Sequence, residues 1–201
     1  MSGIKQMGCR AMTKVYVVRH GETDWNRQGR LQGTTDIPLN EQGIAQATAC
    51  QKYFFENEAT AIFTSPLKRA YDTARIINEP FDLPLQMITQ FKERGFGKAE
   101  GMTYDERSKV FPNKKYPDQE PLQQFVSRLK SGLAVLEERY PKDTIVLVAH
   151  GAVIHHLFKI VENNDLFPAN ARLSNGGVST IYTKDGKWWL GKYNETHHLL
   201  D

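Results

Sequence analysis

The sequence predicts a three-layer α/β/α fold, in which helices cover both faces of a mainly parallel central sheet. Three observations support this prediction. Short apolar runs alternate with amphipathic segments along most of the 201 residues. The runs are almost continuously apolar, which is typical of strands buried on both faces. Strands separated by helical segments, rather than by tight turns, indicate parallel pairing with helical crossovers.

The first half of the chain contains three predicted strands and two predicted helices. A polar, glycine-containing loop runs from His20 to about Pro38, and Asn40 can cap the helix that follows it. Ser65 and Pro66 have the residue types of a helix N-cap and first helical position, so the second helix is predicted to begin there. The strands are predicted at 15–18, 61–64 and 85–88, and the helices at 41–57 and 65–78.

The second half begins with an irregular, glycine-rich stretch at 91–101 and ends with a predicted hairpin. Phe125, Leu129 and Leu133 lie at helical spacing, which predicts a long helix over 122–140. The most apolar strand is predicted at 145–149, with a helix at 153–161 after it. The turn sequence KDGK at 184–187 separates strands predicted at 178–182 and 188–193, which indicates an antiparallel hairpin.

The composition is that of an ordinary globular protein, with 40% hydrophobic and 24% charged residues. Lys and Arg number 26 against 23 Asp and Glu, and a net charge of +3 is too small to indicate nucleic-acid binding. No apolar run is long enough for a membrane span, so neither nucleic acid nor a membrane is expected as a partner. Cys9 and Cys50 lack metal-ligand or redox spacing, which favours a reduced, cytoplasmic protein without a bound metal.

Residues 1–11 are predicted to be a flexible leader or an artificial extension. They carry no apolar segment of the kind that a secretory signal requires. Met12, just before the first strand, is a plausible alternative start. Residues 12–201 are predicted to form a single domain, because neither a low-complexity segment nor a domain linker interrupts them.

Residues suited to catalysis collect at the ends of three predicted strands. The first strand ends in Arg19 and His20, the second is followed by Ser65 and Arg69, and the late apolar strand ends in His150. A glycine follows each of the two histidines. In open α/β sheets, ligands bind beyond the carboxyl ends of the strands, so these side chains are expected to share one crevice.

Two arginines and two histidines in one crevice suit a phosphoryl group. Guanidinium forks such as those of Arg19 and Arg69 bind phosphate oxygens bidentately. A neutral imidazole such as that of His20 is a competent nucleophile near neutral pH. The glycine after each histidine is expected to present a backbone N–H to an anion, and the helix starting at Ser65 to direct its positive end there. Taken singly, a histidine after a strand is more often structural, and Arg69 could lie on an ordinary helix surface.

The order of these segments resembles the histidine phosphatase superfamily, the phosphoglycerate mutase-like group. The resemblance covers nearly the whole chain from about Thr13. RHG alone would be weak evidence, but ordered blocks are specific. The blocks are RHGET at 19–23 with Trp25 and Asn26, SPLKRA at 65–70 with Thr73 and Ala74, ERGFG at 93–97 with Glu100 and Gly101, VAHG at 148–151 and NGGVS at 175–179.

The resemblance implies a phosphoglycerate mutase-like fold and a role for each matching residue. His20 would be phosphorylated, and Glu93 would protonate the leaving oxygen and then activate water. From the residues alone, Glu93 could not be chosen over Glu100 or Asp105. Arg19, Arg69 and His150 would hold the phosphoryl oxygens, and the dianionic substrate would keep His150 protonated. The residues implied to line the phosphate pocket are Asn26, Gln32, Gly33 and Gly151. Neither a metal nor another cofactor is implied.

Two features favour hydrolysis over transfer of the phosphoryl group to a second substrate hydroxyl. The segment between Gly97 and Leu122 is short, whereas cofactor-dependent mutases of the group carry a longer basic insertion there. Phe96 stands where the mutase pattern has a tyrosine. The expected activity is therefore a metal-independent phosphomonoesterase for small phosphorylated metabolites.

Other activities and an assembly state are left open by the sequence. The alternatives are a cofactor-dependent phosphoglycerate mutase, a narrower phosphatase resembling fructose-2,6-bisphosphatase or α-ribazole phosphatase, and a non-catalytic module that binds a phosphorylated ligand. The complete set of His20, Arg69, Glu93 and His150 argues against the last of these, because a binding module has no need of the acid. A homodimer is also open.

Overall fold

The computed structural model describes residues 12–162 and 172–200, which contain one six-stranded sheet with helices on both faces. The predicted α/β fold with a mainly parallel sheet is confirmed. The predicted leader, residues 1–11, lies outside the described residues.

The bounds of the elements agree with most of the predicted ones to within three residues. The strands are β1 (Lys14–Arg19), β2 (Ala61–Thr64), β3 (Leu85–Met87), β4 (Thr144–Ala149), β5 (Val178–Lys184) and β6 (Lys187–Leu190). The helices are α1 (Asp24–Arg27), α2 (Glu41–Phe55), α3 (Lys68–Asn78), α4 (Tyr104–Val110), α5 (Leu122–Arg139) and α6 (Gly151–Val161). Short 3₁₀ helices cover Thr89–Phe91, Gly97–Ala99 and His197–Leu199.

The strand order is β3-β2-β4-β1-β5-β6. The first four strands are parallel, and β5 and β6 are antiparallel additions at one edge. Arg19 pairs with Ala149, and Thr64 pairs with Val148. The carboxyl ends of β1, β2 and β4 are therefore level, which brings the three predicted catalytic segments to one edge of the sheet.

The sheet has a separate apolar core on each face, because successive strand side chains point to opposite sides. In β1, Val15 and Val17 pack with residues of α5 and α6, whereas Tyr16 and Val18 pack with residues of α2 and α3. Both faces of β1, β2 and β4 are thus covered, as the continuous apolar runs predicted, whereas the edge strand β3 is partly exposed.

The predicted start of α3 at Ser65 is wrong. The helix begins at Lys68, and its N-cap is Leu67, which makes no side-chain capping bond. The Ser65 hydroxyl lies 2.7 Å from His150 Nε2 and accepts the N–H of Leu67 at 3.3 Å. The hydroxyl thus bonds both to a residue 85 positions away and to a local N–H, in the turn that precedes the helix. The positive end of α3 does not start at Ser65, contrary to the expectation.

Two short helices lie in segments for which the sequence predicted none. The loop from His20 to Pro38 contains α1, which Thr23 and Asn26 close with reciprocal capping bonds. The segment before α5 contains α4, which Thr103 and Glu106 cap in the same way. Both helices are too short to show a clear apolar period, so only their caps marked them in the sequence.

The predicted hairpin is confirmed at β5 and β6. Its turn residues, Asp185 and Gly186, have φ angles of 54° and 72°, the left-handed values of a two-residue hairpin turn. Trp188 packs against the core, and Trp189 on the other side of the strand is 49% exposed. In the described part of the chain, no helix combines the length and apolar character that a bilayer span requires.

Candidate active site

A cavity of about 250 Å³ opens at the carboxyl ends of β1, β2 and β4. Every site residue predicted from the sequence except His150 lines it. The lining residues are Arg19, His20, Asn26, Arg30, Leu31, Gln32, Gly33, Arg69, Glu93, Phe96, Gly151 and Ala152. His150 lies next to the cavity, with its ring centroid 5.2 Å from that of His20.

His20 is held in one tautomer by its own loop. Its Nδ1 lies 2.7 Å from the carbonyl oxygen of Gly21. A carbonyl can only accept a hydrogen bond, so Nδ1 carries the proton and Nε2 keeps its lone pair. Burial lowers the pKa of His20 well below its usual value, and the nearby Arg69 and Arg19 cations lower it further. The imidazole is therefore neutral at ordinary pH, the form that a nucleophile needs.

The second histidine has one nitrogen bonded and one without a partner. His150 Nε2 bonds to Ser65 Oγ, while the buried Nδ1 has no hydrogen-bond partner among the described residues. Burial, followed by the charge of Arg69, lowers the pKa of His150 well below its usual value. The expectation that His150 acts protonated therefore depends on the negative charge of a bound phosphoryl group.

The two arginines are anchored by carbonyl groups and each has a buried N–H to spare. Arg69 is 1% exposed and donates Nη1–H to Thr35 and Nη2–H to Gly33, at 2.9 and 2.8 Å. Arg19 donates from Nη1 to the carbonyl of Leu173. Within the described residues, Nε of both arginines is buried without an acceptor. Cationic side chains with unpartnered N–H donors at a cavity wall are suited to binding an anion.

Glu93 lies at the N-terminus of α6. Its carboxylate accepts hydrogen bonds from the backbone N–H groups of Arg94, Ala152 and Val153, at 3.0, 3.1 and 3.3 Å. Burial raises the pKa of Glu93, and this effect outweighs the opposing backbone bonds and the charges of Arg69 and Arg19. A carboxyl group with a raised pKa at the cavity wall is suited to donating a proton.

The glycine after His20 has a different role from the predicted one. Gly21 donates its N–H to the hydroxyl of Thr73 at 3.0 Å rather than presenting it to the cavity. A Cβ atom on Gly21 would lie 2.3 Å from the carbonyl oxygen of Gly43. The glycine is therefore required by close packing against the start of α2, and the expectation of an anion-binding N–H at Gly21 is wrong.

Sequence reasoning missed several residues that support the site. Asn175 donates from Nδ2 to the carbonyl of His20 at 2.9 Å and to Oδ1 of Asn26 at 3.3 Å. Thr73 links Gly21 to α3. Both residues belong to blocks that the sequence singled out, but no role could be assigned there without their partners.

Glu100 organises the loop that anchors Arg69. Its carboxylate accepts from the backbone N–H groups of Thr34, Thr35 and Phe96 and from the hydroxyl groups of both threonines. The carbonyls that receive the Arg69 guanidinium belong to Gly33 and Thr35 in the same loop. Although burial alone would raise it, the pKa of Glu100 is lowered by hydrogen bonds from Thr35, Phe96 and Thr34.

We expect Glu100→Gln to destabilise the protein and to weaken anion binding. The glutamine NH₂ would face N–H donors, and losing bonds to a charged acceptor costs about 1–3 kcal/mol. Denaturant unfolding and inhibition by inorganic phosphate would measure the two effects. A carboxylate with a lowered pKa stabilises the fold above its unfolded pKa and loses that effect as the pH falls through its folded value. The difference from the wild type should therefore shrink on acidification.

The exposed Glu138 on α5 provides the matched control. Glu138→Gln removes the same charge without touching the Arg69 loop and should leave both measurements unchanged. Equal stability and phosphate inhibition in Glu100→Gln and the wild type would contradict the role given to Glu100.

Comparison with known proteins finds relatives that match nearly the whole chain. The chain is 45% identical over 188 residues to the uncharacterized phosphatase PhoE of Bacillus subtilis, covering 94% of this chain and 97% of that protein. The solved structure of Bacillus stearothermophilus YhfR is similar with a TM-score of 0.86 and 26% identity, covering 93% and 99% of the two chains. A mutant phosphoserine phosphatase of Entamoeba histolytica in complex with phosphoserine is similar with a TM-score of 0.82 and 30% identity, covering 94% and 100%.

The family profile covers nearly the whole fold. The profile of the histidine phosphatase superfamily (branch 1) matches residues 15–196, from β1 to the residue before the C-terminal 3₁₀ helix. The expectation of a phosphatase of this superfamily, made from the ordered motifs, is confirmed at the level of the family. The chain therefore belongs to branch 1 of the histidine phosphatase superfamily.

Proposed function

We propose that this protein is a phosphomonoesterase that acts on small phosphorylated metabolites through a phosphohistidine on His20. The observation that carries the proposal is the tautomer of His20. Its Nδ1 is committed to Gly21, so the lone pair of Nε2 is available in a cavity that also holds Arg19, Arg69 and Glu93.

The first half of the reaction transfers the phosphoryl group to the protein. His20 Nε2 attacks phosphorus, and the bond between phosphorus and the ester oxygen breaks. Glu93 gives its proton to that oxygen, so the alcohol leaves neutral. The N–H groups of Arg19, Arg69 and His150 stabilise the charge on the three other phosphoryl oxygens.

The second half returns the enzyme to its starting state. Glu93, now a carboxylate, takes a proton from water as the water oxygen attacks phosphorus. The bond between phosphorus and Nε2 breaks, and inorganic phosphate leaves. No step in this sequence requires a metal or another cofactor, because the arginines and histidines supply the positive charge.

Hydrolysis is favoured over mutase activity by the wall of the cavity. Phe96 lines it, where it offers no hydroxyl group to hold a phosphorylated intermediate between two transfers. The likeness to a phosphoserine phosphatase bound to phosphoserine makes phosphoserine the first substrate to test. Asn26, Gln32, Gly33 and Gly151 are proposed to line the position of the phosphoryl group.

Release of inorganic phosphate tests the proposal. We expect turnover of p-nitrophenyl phosphate and of at least one metabolite among phosphoserine, 3-phosphoglycerate, fructose 2,6-bisphosphate and α-ribazole phosphate at mildly acidic pH. In that range the lowered pKa of His20 favours its neutral form, and the raised pKa of Glu93 favours its protonated form. Conversion of 3-phosphoglycerate to its 2-phospho isomer without phosphate release would replace the proposal by the mutase alternative. Vanadate binding without turnover from acid to neutral pH would replace it by the binding module.

A further inference from the structure

The guanidinium group of Arg128 on α5 binds both the segment that carries Glu93 and the side chain of Glu120. Nη1 donates to the carbonyls of Gln90 and Lys92 at 2.7 and 2.6 Å, and Nη2 donates to the carbonyl of Glu93 at 3.1 Å. Nε and Nη2 bind the two carboxylate oxygens of Glu120 at 2.7 and 3.0 Å. An arginine has five N–H donors, and all of them are used here.

Glu120 forms hydrogen bonds with the other side of the same segment. Its carboxylate accepts the N–H of Gly95, its carbonyl accepts Nε and Nη2 of Arg94, and its own N–H donates to the carbonyl of Gly95. The segment 90–95 is thus bonded on both sides of Glu93 to the ion pair between Arg128 and Glu120. The side chains of this pair are only 23% and 19% exposed, so water screens it less than a surface pair.

The segment also rests directly on α5. A Cβ atom on Gly132 would lie 2.7 Å from the ring of Phe91, which places the 3₁₀ turn before Glu93 in contact with the helix backbone. Arg128 itself does not line the catalytic cavity. It lines a neighbouring cavity that Glu93 also borders, and its hydrogen bond to Glu93 is made to the backbone carbonyl.

We propose that Arg128 is a positioning residue, which with Glu120 holds Glu93 where its carboxyl group can protonate the leaving oxygen. This inference rests on the role of Glu93 in the proposed function. The first turn of α6 fixes the carboxyl group of Glu93, and Arg128 fixes the backbone of the same residue. A proton donor must be within hydrogen-bond reach of the oxygen that it serves, so a displaced segment weakens proton transfer first.

Substrates whose leaving groups differ in basicity can reveal a loss of proton transfer. p-Nitrophenolate is a stable anion and departs without a proton, whereas phenolate is more basic and gains from one. The two aryl phosphates have nearly the same shape. A variant with a misplaced acid should therefore lose kcat/KM on phenyl phosphate and keep most of it on p-nitrophenyl phosphate. A general loss of folding would lower both equally.

The test compares Arg128→Lys with Glu93→Gln and with the control Arg139→Lys, which changes an exposed arginine at the end of the same helix. Glu93→Gln should lower kcat/KM on phenyl phosphate by roughly 100-fold and on p-nitrophenyl phosphate far less, since general acids contribute about 10²–10⁴-fold. Arg128→Lys should show the same selectivity with a loss of about tenfold or more on phenyl phosphate. Arg139→Lys should match the wild type.

The outcomes separate the inference from the proposed function. If Glu93→Gln is selective and Arg128→Lys lowers both substrates equally or neither, the positioning role is refuted and the function stands. If Glu93→Gln itself shows no selectivity, the assignment of Glu93 as the acid fails. Inhibition by vanadate, which depends on Arg19, Arg69 and His150, should be unchanged in Arg128→Lys. A parallel loss of vanadate binding would indicate general damage and overturn the inference.

Discussion

Replacing His20 by alanine is expected to abolish turnover, with a fall in kcat of roughly 10⁴-fold or more, as removal of a nucleophile does in other covalent mechanisms. The reason is that the geometry prepares the lone pair of His20 Nε2 for attack, by fixing the proton on Nδ1 and by a lowered pKa. Steady-state phosphate release would measure the loss. Rapid quenching of the wild type with labelled substrate should trap an acid-labile, base-stable phosphoenzyme, which the variant should lack.

The matched control is His197→Ala, because His197 is exposed in the C-terminal 3₁₀ helix and lies outside the cavity. It should retain wild-type turnover and the same phosphoenzyme. An unchanged rate in His20→Ala, or an equal amount of phosphoenzyme in it, would refute the nucleophile. His20 is buried and its ring bonds to the carbonyl of Gly21, so thermal unfolding of the variant should be recorded to separate chemistry from folding.

Arg69→Lys should lower kcat/KM by about 10²–10³-fold, the range expected when one preorganised donor to a transition-state oxyanion is lost. The guanidinium of Arg69, which lines the cavity, donates from two nitrogens to the carbonyls of Gly33 and Thr35, and its buried Nε has no acceptor among the described residues. An ammonium group cannot copy that fork, and a buried lysine loses its charge more readily than arginine. Inhibition by vanadate should weaken in parallel, because the same donors bind both oxyanions.

The same helix offers the control Arg75→Lys. Arg75 forms an exposed ion pair with Glu79 at 3.1 Å, and both side chains are more than half exposed, so the substitution should change neither activity nor stability by a measurable amount. A loss below threefold in Arg69→Lys would show that the fork is not needed. A lowered melting temperature with unchanged kcat/KM would assign Arg69 to the loop alone.

Features set by interactions between residues close in sequence were predictable, whereas features set by residues distant in sequence were not. The strands were predicted because their apolar runs are local signals, and their convergence followed from the rule for parallel sheets. The start of α3 was predicted three residues too early, and the contact of Ser65 with His150 is one that no local pattern indicates. Likewise, Gly21 was expected to bind an anion, but its small size serves packing against Gly43.

The sequence by itself determined the fold class, the family and the grouping of His20, Arg69 and His150 at neighbouring strand ends, since periodicity and ordered motifs are properties of short segments. Only the tertiary structure decided the protonation and the positions of the groups in the site. The tautomer of His20, the raised pKa of Glu93 and the bonds of Arg128 to a segment 35 positions away depend on burial and on partners distant along the chain. The physical reason is that hydrogen-bond direction and desolvation exist only once the elements are packed together.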